Sequence, residues 1–275
     1  MSKLKISVII PSYNHGLFIE KTILSILSQN YSNIEVIVID GGSSDNTTEI
    51  LKKYSSRLAY WQSRPDKGQS EAIAVGFKYA SGDIFCWLNS DDIFLPGALS
   101  IVAQQFSTTN ADVVYGNKWL INVSGDKIGE RLLTPFLPLL IKEAYLCGGF
   151  GIYQPSSFWT AKIYNDVGGV DSSLRFCIDN DLFNKFVIYG AKFRFVNSYL
   201  SGFRVHKDSK TSTLQRVAEE ERALLYRKYV IERGVHSPST KRLMARLYRI
   251  FFLSVTGKLP KVLFMKYFHE FKWVP

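Results

Sequence analysis

The 275-residue sequence has little cysteine, and its three cysteines are widely spaced: Cys86, Cys147 and Cys177. An odd number at such spacing is typical neither of a disulfide framework nor of a zinc site, so we expect reduced thiols, as in the cytosol. No apolar run approaches the roughly 20 residues that a membrane-spanning helix needs. The N-terminus, MSKLKISVIIPSYN, lacks the apolar core and small-residue cleavage site of a signal peptide, so export is not expected.

The sequence also lacks internal repeats, low-complexity tracts and long linkers. Hydrophobic residues make up 46% of it and charged residues 21%, close to the averages of globular proteins. This composition excludes a disordered, collagenous or long coiled-coil chain. The length suits one α/β domain with appendages.

The formal net charge of +10 comes from the C-terminal part of the chain. Residues 204–275 hold 16 basic and 6 acidic residues, whereas residues 1–203 hold 18 of each. The last stretch mixes basic and aromatic residues, namely Arg246, Arg249, Lys258, Lys261, Lys266 and Lys272 with Tyr248, Phe251, Phe252, Phe264, Tyr267, Phe268, Phe271 and Trp273. This mixture is typical of an amphipathic helix on an anionic membrane surface. The alternative is a pair of helices packed on the domain with a solvated basic face.

Short strand-like segments, β-branched at residues 6–10 and 34–39, alternate with segments of helical periodicity. The pattern predicts strands at residues 6–10, 34–39, 59–62, 83–88 and 112–115, and helices at 16–30, 45–54, 69–80 and 96–106. Such alternation predicts a doubly wound α/β sheet. Regular alternation stops in residues 116–171, where one helix is predicted near residues 138–146, and a further helix is predicted at 181–189.

Polar residues follow three of the predicted strands, at the carboxyl ends where open parallel sheets bind ligands. They lie at residues 11–14, 40–45 and 89–92. Asp40 can accept hydrogen bonds from a nucleobase or ribose. The adjacent carboxylates of Asp91 and Asp92 repel each other unless a cation compensates them, and hard oxygen ligands suit Mg²⁺ or Mn²⁺. Taken singly, each motif could also be an ordinary turn or a helix cap.

Four ordered segments, SVIIPSYNHG, EVIVIDGGSSDNT, SRPDKGQSEAIAVGFKYASGDIFCWLNSDD and CIDNDL, together resemble family 2 glycosyltransferases. The resemblance implies a GT-A (Rossmann-like) α/β fold with a mixed, mainly parallel sheet flanked by helices. On this interpretation residues 1–211 form the GT-A domain, with a nucleotide-sugar-binding half at 1–115 and an acceptor and catalytic half at 116–211. Residues 212–275 form a basic amphipathic helical extension.

The resemblance also implies roles by motif position. Nucleotide-sugar binding is assigned to Pro11, Tyr13, Asp40, Asp66, Gln69 and Asp91, with Arg204 and Lys210 as diphosphate clamps. The metal, Mn²⁺ or Mg²⁺, is assigned to Asp92, with His206 as a further ligand. Gln154 and Trp159 are expected at the acceptor. The catalytic base is assigned to Asp179, with Asp181 as second candidate, because Ile178 stands where the family usually has an acidic residue.

The expected function is therefore an inverting, metal-dependent hexosyl transfer from a nucleotide-sugar, with UDP implied by the resemblance. The basic, aromatic tail suggests a polyprenyl-diphosphate-linked acceptor in O-antigen, capsule or exopolysaccharide assembly. The expected location is cytoplasmic, on the inner face of the cytoplasmic membrane.

Two other classes compete with this interpretation. A sugar nucleotidyltransferase would also use an α/β nucleotide site and a metal, but the first strand ends in Pro-Ser-Tyr-Asn and not in a glycine-rich basic loop. A nucleic-acid-binding protein could use the C-terminal charge, but the acidic pair at the expected crevice argues against it.

Overall fold

The computed structural model describes residues 3–135, 145–146, 151–207, 209–260 and 262. Within them, nine strands form one sheet. They are β1 (Ile6–Ser12), β2 (Ile34–Asp40), β3 (Tyr60–Ser63), β4 (Ile84–Trp87), β5 (Ile93–Phe94), β6 (Val113–Ile121), β7 (Lys127–Arg131), β8 (Ser157–Thr160) and β9 (Phe193–Arg204).

The helices are α1 (Ile19–Leu27), α2 (Thr47–Tyr54), α3 (Gln69–Lys78), α4 (Ala98–Thr108), α5 (Ala161–Asp166), α6 (Ile178–Tyr189), α7 (Lys210–Thr213), α8 (Gln215–Tyr226) and α9 (Pro238–Val255). Short 3₁₀ turns lie at Ser55–Arg57 and Gln154–Ser156, and a π-helical turn at Arg227–Ile231 follows α8. The helix predicted near residues 138–146 lies outside the described residues except for Tyr145 and Leu146.

The sheet has a parallel half and a mixed half. Its strand order is β3-β2-β1-β4-β8-β6-β9-β5, with β7 paired to β6. The pairs β3·β2, β2·β1 and β1·β4 are parallel, as the alternating pattern predicts. β8 then runs antiparallel to both β4 and β6, while β6 and β9 pair in parallel. The α/β fold class is thus confirmed.

Side chains from both faces of the sheet are buried under helices, because successive residues of a strand point to opposite faces. On β1, Val8 and Ile10 join the core that includes α1 and α4, whereas Ile9 joins the core that includes α3 and α6. Gly76 of α3 lies directly over Ile9, and a Cβ atom at position 76 would stand 2.3 Å from the Ile9 Cγ2 atom. This close approach packs α3 tightly against β1.

The C-terminal helices pack on the domain. Leu225, Tyr229, Val230 and Ala245 are buried in the same core as Ile9. In the described part of the extension, one face is therefore packed on the domain, as the alternative of a packed helical pair predicts. None of the described helices has the length and apolar character that crossing a membrane requires.

Candidate functional site

The loops that follow β1 and β2 are tied together by hydrogen bonds. The backbone N–H of Asn14, a residue in the left-handed region (φ 51°), donates to Ser43 Oγ at 2.7 Å. The backbone N–H of Ser44 donates to Asn14 Oδ1 at 2.8 Å. Tyr13 beside them is 61% exposed, so its ring is available to a ligand.

Asp40 is fully buried at the end of β2, and its carboxylate shapes the loop after it. The backbone N–H of Ser43 donates to Asp40 Oδ2 at 2.9 Å, and the Ser63 hydroxyl donates to the same oxygen at 2.6 Å. Asp40 is thus already hydrogen-bonded within the protein. Its expected role toward a nucleobase or ribose stays a prediction.

Asp66 lies against the same loop. A Cβ atom on Gly41 would stand 3.1 Å from both carboxylate oxygens of Asp66, so glycine permits this close approach. Burial raises the pKa of Asp66, and the nearby Asp40 charge raises it further. At the start of α3, the Gln69 amide donates to Asn89 Oδ1 at 2.7 Å, which joins this end of the site to the acidic loop after β4.

The two carboxylates of the acidic loop have different surroundings. Asp92 is fully buried, and its Oδ1 accepts the backbone N–H of Arg204 at 2.9 Å. Burial and the neighbouring Asp91 raise the pKa of Asp92 well above its usual value. Asp91 Oδ2 lies 2.9 Å from His206 Nε2. Two carboxylates so close together favour a cation at this edge of the sheet.

The guanidinium of Arg204 connects the acidic loop after β4 to the loop after β6. Its Nε donates to the Asp91 carbonyl at 2.7 Å, and NH1 donates to the carbonyls of Asn122 and Val123 at 2.7 and 2.8 Å. The guanidinium also stacks on the Phe18 ring, 5.1 Å from its centroid. With these bonds to backbone carbonyls, Arg204 holds the acidic loop in place, which differs from the predicted diphosphate clamp.

A metal ion at this site would have a small set of protein ligands. Among the residues that the structure describes, no group of three or more His, Cys, Asp and Glu side chains is arranged to hold a metal. His206 Nε2 lies 2.9 Å from Asp91 Oδ2, and His15 Nδ1 lies 2.6 Å from Ser90 Oγ in the same loop. This donor set fits Mg²⁺ or Mn²⁺, because these ions accept one or two protein carboxylates and complete their coordination with water and substrate phosphates.

Asp179 and Asp181 lie on opposite sides of α6, since residues two apart on a helix do not face each other. Asp181 is fully buried; its Oδ2 forms an ion pair with Lys185 Nζ at 2.8 Å, and its Oδ1 accepts hydrogen bonds from Lys228 Nζ at 3.0 Å and Tyr229 Oη at 2.6 Å. Burial alone would raise the pKa of Asp181, but these hydrogen bonds outweigh it and lower the pKa. Asp181 is thus a structural anchor to the C-terminal extension, which leaves Asp179 as the candidate base.

Asp179 sits in the first turn of α6. Its Oδ1 accepts the backbone N–H of Asn180 at 2.9 Å, and burial raises its pKa. The charge of Lys118, on β6, acts on Asp179 and also on Asp92. The Lys118 ammonium lies 4.0 Å from the centroid of the Phe203 ring, and Phe203 directly precedes Arg204, whose backbone N–H donates to Asp92.

Glu221 on α8 positions the start of α6. Its carboxylate accepts the backbone N–H groups of Arg175, Phe176 and Cys177 at 2.6, 2.9 and 2.7 Å. These three residues lead directly into α6, and a negative charge beside a helix N-terminus interacts favourably with the positive end of the helix dipole. The C-terminal extension thus holds α6 through Glu221 at its N-terminus and through Lys228 and Tyr229 on its flank.

The residues expected at the acceptor are placed differently from the prediction. Trp159 is fully buried and packs against the Trp87, Phe183 and Phe186 rings. It belongs to the hydrophobic core, and the prediction that it stacks on an acceptor sugar is corrected. Gln154 is buried as well, and its amide donates to the Trp87 carbonyl at 2.6 Å.

Lys210, the second predicted clamp, is exposed as a residue, but its ammonium group donates to the Arg175 carbonyl at 3.2 Å. Loss of water around the ammonium, with the Arg175 cation nearby, lowers the pKa of Lys210 to about 8, while Asp66 acts in the opposite direction. Lys210 lies near Asp66, and its expected role in binding the donor diphosphate stays a prediction.

Hydrogen bonds join the loops of the nucleotide end: Asn14 connects the loops after β1 and β2, and Gln69 connects α3 to the acidic loop after β4. Asp179 lies in the first turn of α6. Sequence reasoning missed His15, Lys118 and Glu221. The position of His15 directly after the first strand was a usable signal, and so was the single charge of Lys118 within the otherwise uncharged strand VVYGNKWLI.

Comparison with known proteins identifies one matching family. The family model described as Glycosyl transferase family 2 matches residues 7–163. An uncharacterized glycosyltransferase of Rickettsia typhi is 30% identical over 231 residues, which cover 80% of this chain and 70% of that protein. For a similar relative in Rickettsia conorii, the matched part is 36% of its length. An Escherichia coli UDP-Glc:alpha-D-GlcNAc-diphosphoundecaprenol beta-1,3-glucosyltransferase is 37% identical over 118 residues, 42% of this chain and 47% of that one.

Solved structures share the fold. TarS of S. aureus in complex with UDP-GlcNAc has a TM-score of 0.65 at 18% identity, covering 91% of this chain and 73% of that chain. The mannosyltransferase PcManGT from Pyrobaculum calidifontis, in complex with GDP-Man and Mn²⁺, has a TM-score of 0.62 at 14% identity, covering 100% of this chain and 77% of that one. The overall architecture is therefore that of GT-A glycosyltransferases.

Proposed function

The chain belongs to glycosyltransferase family 2, and on that premise we propose that it transfers a hexosyl group from a UDP-sugar to a lipid-linked saccharide with inversion at the anomeric carbon. The observation that carries the proposal is that hydrogen bonds join the loops after β1, β2 and β4 into one polar edge of the sheet. This edge provides the nucleotide end, and Asp179 in the first turn of α6 provides a separate base.

In this reaction the Asp179 carboxylate takes the proton of the acceptor hydroxyl. The hydroxyl oxygen forms a bond to the anomeric carbon while the bond from that carbon to the β-phosphate oxygen breaks on the opposite face, and the nucleoside diphosphate leaves. The contacts of α6 support this role. Glu221 accepts a hydrogen bond from Cys177, directly before the first turn, and Asp181 bonds the side of the helix to Tyr229 of the C-terminal extension. Tyr13, Asp66 and Gln69 would hold the nucleotide end.

Asp91, Asp92 and His206 would hold a divalent cation, Mg²⁺ or Mn²⁺. When bound, this ion supplies charge compensation for the diphosphate. The protein's own part is to keep the carboxylates in place, which Arg204 does by donating its backbone N–H to Asp92 and its Nε to the Asp91 carbonyl.

The nature of the acceptor is inferred from the relatives. The E. coli relative is described as acting on a diphosphoundecaprenol-linked saccharide, and it shares 37% identity over its matched part. This supports a polyprenyl-diphosphate-linked acceptor and a role in the synthesis of an envelope polysaccharide such as O-antigen, capsule or exopolysaccharide.

A donor screen tests the proposed function. Incubation of the protein with a panel of UDP-, GDP- and dTDP-sugars and MnCl₂ should release one nucleoside diphosphate slowly by hydrolysis, and faster when a polyprenyl-diphosphate saccharide is added. Mass spectrometry of the products would identify sugar and linkage. Release of pyrophosphate from nucleoside triphosphates, without diphosphate release from any nucleotide-sugar, would favour a sugar nucleotidyltransferase instead.

A lipid-linked acceptor also requires access to a membrane, and α9 has a suitable surface. Its apolar stripe consists of Leu243, Leu247, Ile250 and Phe251, which are between 50% and 65% exposed. Arg242, Arg246 and Arg249 are exposed beside it, and the α9 sequence has no acidic residue. Each basic side chain near an anionic leaflet contributes about 1 kcal/mol. We infer peripheral attachment to the inner face of the cytoplasmic membrane through this face, with the protein on the cytoplasmic side.

Replacing Leu247 and Phe251 by Glu should abolish sedimentation with phosphatidylglycerol vesicles, because it places two negative charges in the apolar stripe. Turnover of a water-soluble acceptor should remain as in the wild type, since α9 contacts the domain through its opposite face. The control is Leu24→Glu, a similarly exposed leucine on α1. Equal sedimentation of wild type and double variant would contradict membrane attachment through α9.

A further inference from the structure

Lys118 is a cation close to the acidic loop that follows β4. It lies in the middle of β6, and its ammonium nitrogen is 4.4 Å from the centroid of the Tyr153 ring and 4.0 Å from that of the Phe203 ring. Among the described residues the ammonium has no hydrogen-bond acceptor. A lysine ammonium has three N–H donors, and ring faces attract its charge without accepting a full hydrogen bond. Lys118 is therefore able to donate to a ligand.

The fold places the Lys118 ammonium at the end of the site that carries the acidic loop. Phe203, whose ring the ammonium contacts, directly precedes Arg204, and the backbone N–H of Arg204 donates to Asp92 Oδ1 at 2.9 Å. The charges of Asp92 and of the candidate base Asp179 both favour the protonated ammonium. Asp92 belongs to the end that would hold the metal and diphosphate, where, in the proposed reaction, the bond between the anomeric carbon and the β-phosphate oxygen breaks.

We propose that Lys118 binds the β-phosphate of the donor and compensates the negative charge that this phosphate gains as the sugar leaves it. The inference rests on the proposed function. Lysine suits this role as a compact point charge, and a fixed cation at the site of developing charge lowers the barrier without reorganisation during the reaction. The two predicted clamps fit less well, because Arg204 is bonded to backbone carbonyls and Lys210 to the Arg175 carbonyl.

Binding of UDP and of UMP separates a β-phosphate contact from a general effect on the site. Both nucleotides are titrated by calorimetry against wild type, Lys118→Met and Lys118→Arg, with MnCl₂ and again with EDTA. Lys118→Met should weaken UDP binding by about tenfold or more, the usual effect of losing a charge-assisted hydrogen bond, and UMP binding by less than about threefold. Lys118→Arg should retain most of the UDP affinity, because the positive charge remains.

The matched control is Lys53→Met. Lys53 also lies over an aromatic ring, that of Tyr54 at 5.3 Å, but on the exposed surface of α2, so both affinities should stay at the wild-type values. If Lys118→Met does not fold, labelling of the wild type decides instead. UDP, but not UMP, should protect Lys118 from amine acetylation, measured by mass spectrometry.

Equal weakening of UDP and UMP binding, unchanged UDP binding, or equal protection by both nucleotides would overturn the assignment of Lys118. A wild-type protein that binds none of the nucleoside diphosphates UDP, GDP and dTDP would instead overturn the proposed function itself. The two failures are thus distinguishable in one set of titrations.

Discussion

Asp179→Asn should lower the rate of sugar transfer by about 100- to 10,000-fold, the usual contribution of a general base, while leaving donor affinity within about threefold of the wild type. The amide has the size of the carboxylate but cannot take the acceptor proton. Steady-state transfer and UDP titration, measured on the same preparation, would separate turnover from binding. A variant that transfers at the wild-type rate would exclude Asp179 as the base.

The pH dependence of transfer gives a second measurement on the same residue. Asp179 must be ionised to act as a base, so the rate falls as the pH falls through its pKa. Because burial raises that pKa, the fall should begin at higher pH than for an ordinary aspartate, whose pKa is about 3.9. A profile with its acid limb at or below pH 4 would contradict the raised pKa.

Asp181→Asn should have the opposite effect, destabilising the fold while leaving the chemistry intact. Asparagine loses the charge that Lys185, Lys228 and Tyr229 surround, and hydrogen bonds to a buried carboxylate are each worth about 1.5–3 kcal/mol. We expect a loss of about 2 kcal/mol, a decrease in Tm of about 4–8 °C for a chain of this size. The rate of transfer well below Tm should stay within about threefold of the wild type.

The stability difference between wild type and Asp181→Asn should depend on pH. The pKa of Asp181 is lowered in the folded protein, so its contribution is present above the unfolded pKa of about 3.9 and is lost as the pH falls through the folded pKa. The two Tm values should thus converge below about pH 4. A wild-type rate for Asp179→Asn together with a large rate loss in Asp181→Asn would exchange the roles of the two residues.

The first half of the fold follows from local sequence pattern. β1 and β2 are short β-branched segments and β4 is a short apolar one. Polar residues follow all three strands and helices of regular periodicity connect them, so their carboxyl ends meet as predicted. The second half depends on pairing between distant segments, such as Val113 with Phe193 and Ile93 with Gly202. No local pattern specifies those partners, which is why the long strand β9 was not predicted.

The candidate site divides in the same way. Asp40, Asp91 and Asp92 could be identified because each follows a predicted strand end, whereas Asp66 was assigned through the resemblance to the family. The role of Trp159 could not be predicted, because an aromatic residue on a strand gives the same sequence pattern whether it packs in a core or contacts a ligand. Glu221 lies among three successive glutamates on α8, and its contact with residues 175–177 crosses more than 40 positions of sequence. Such a contact exists only once the helices have packed.

The Glu221 contact also limits how this enzyme can be recombined with its relatives. The family model ends at residue 163, and a chimera that joins a relative's tail after residue 211 would separate α6 from the carboxylate that holds its first turn. A junction after Ile231 keeps Glu221, Lys228 and Tyr229 with their partners. Exchanges of C-terminal tails between family members should therefore begin beyond the π-helical turn.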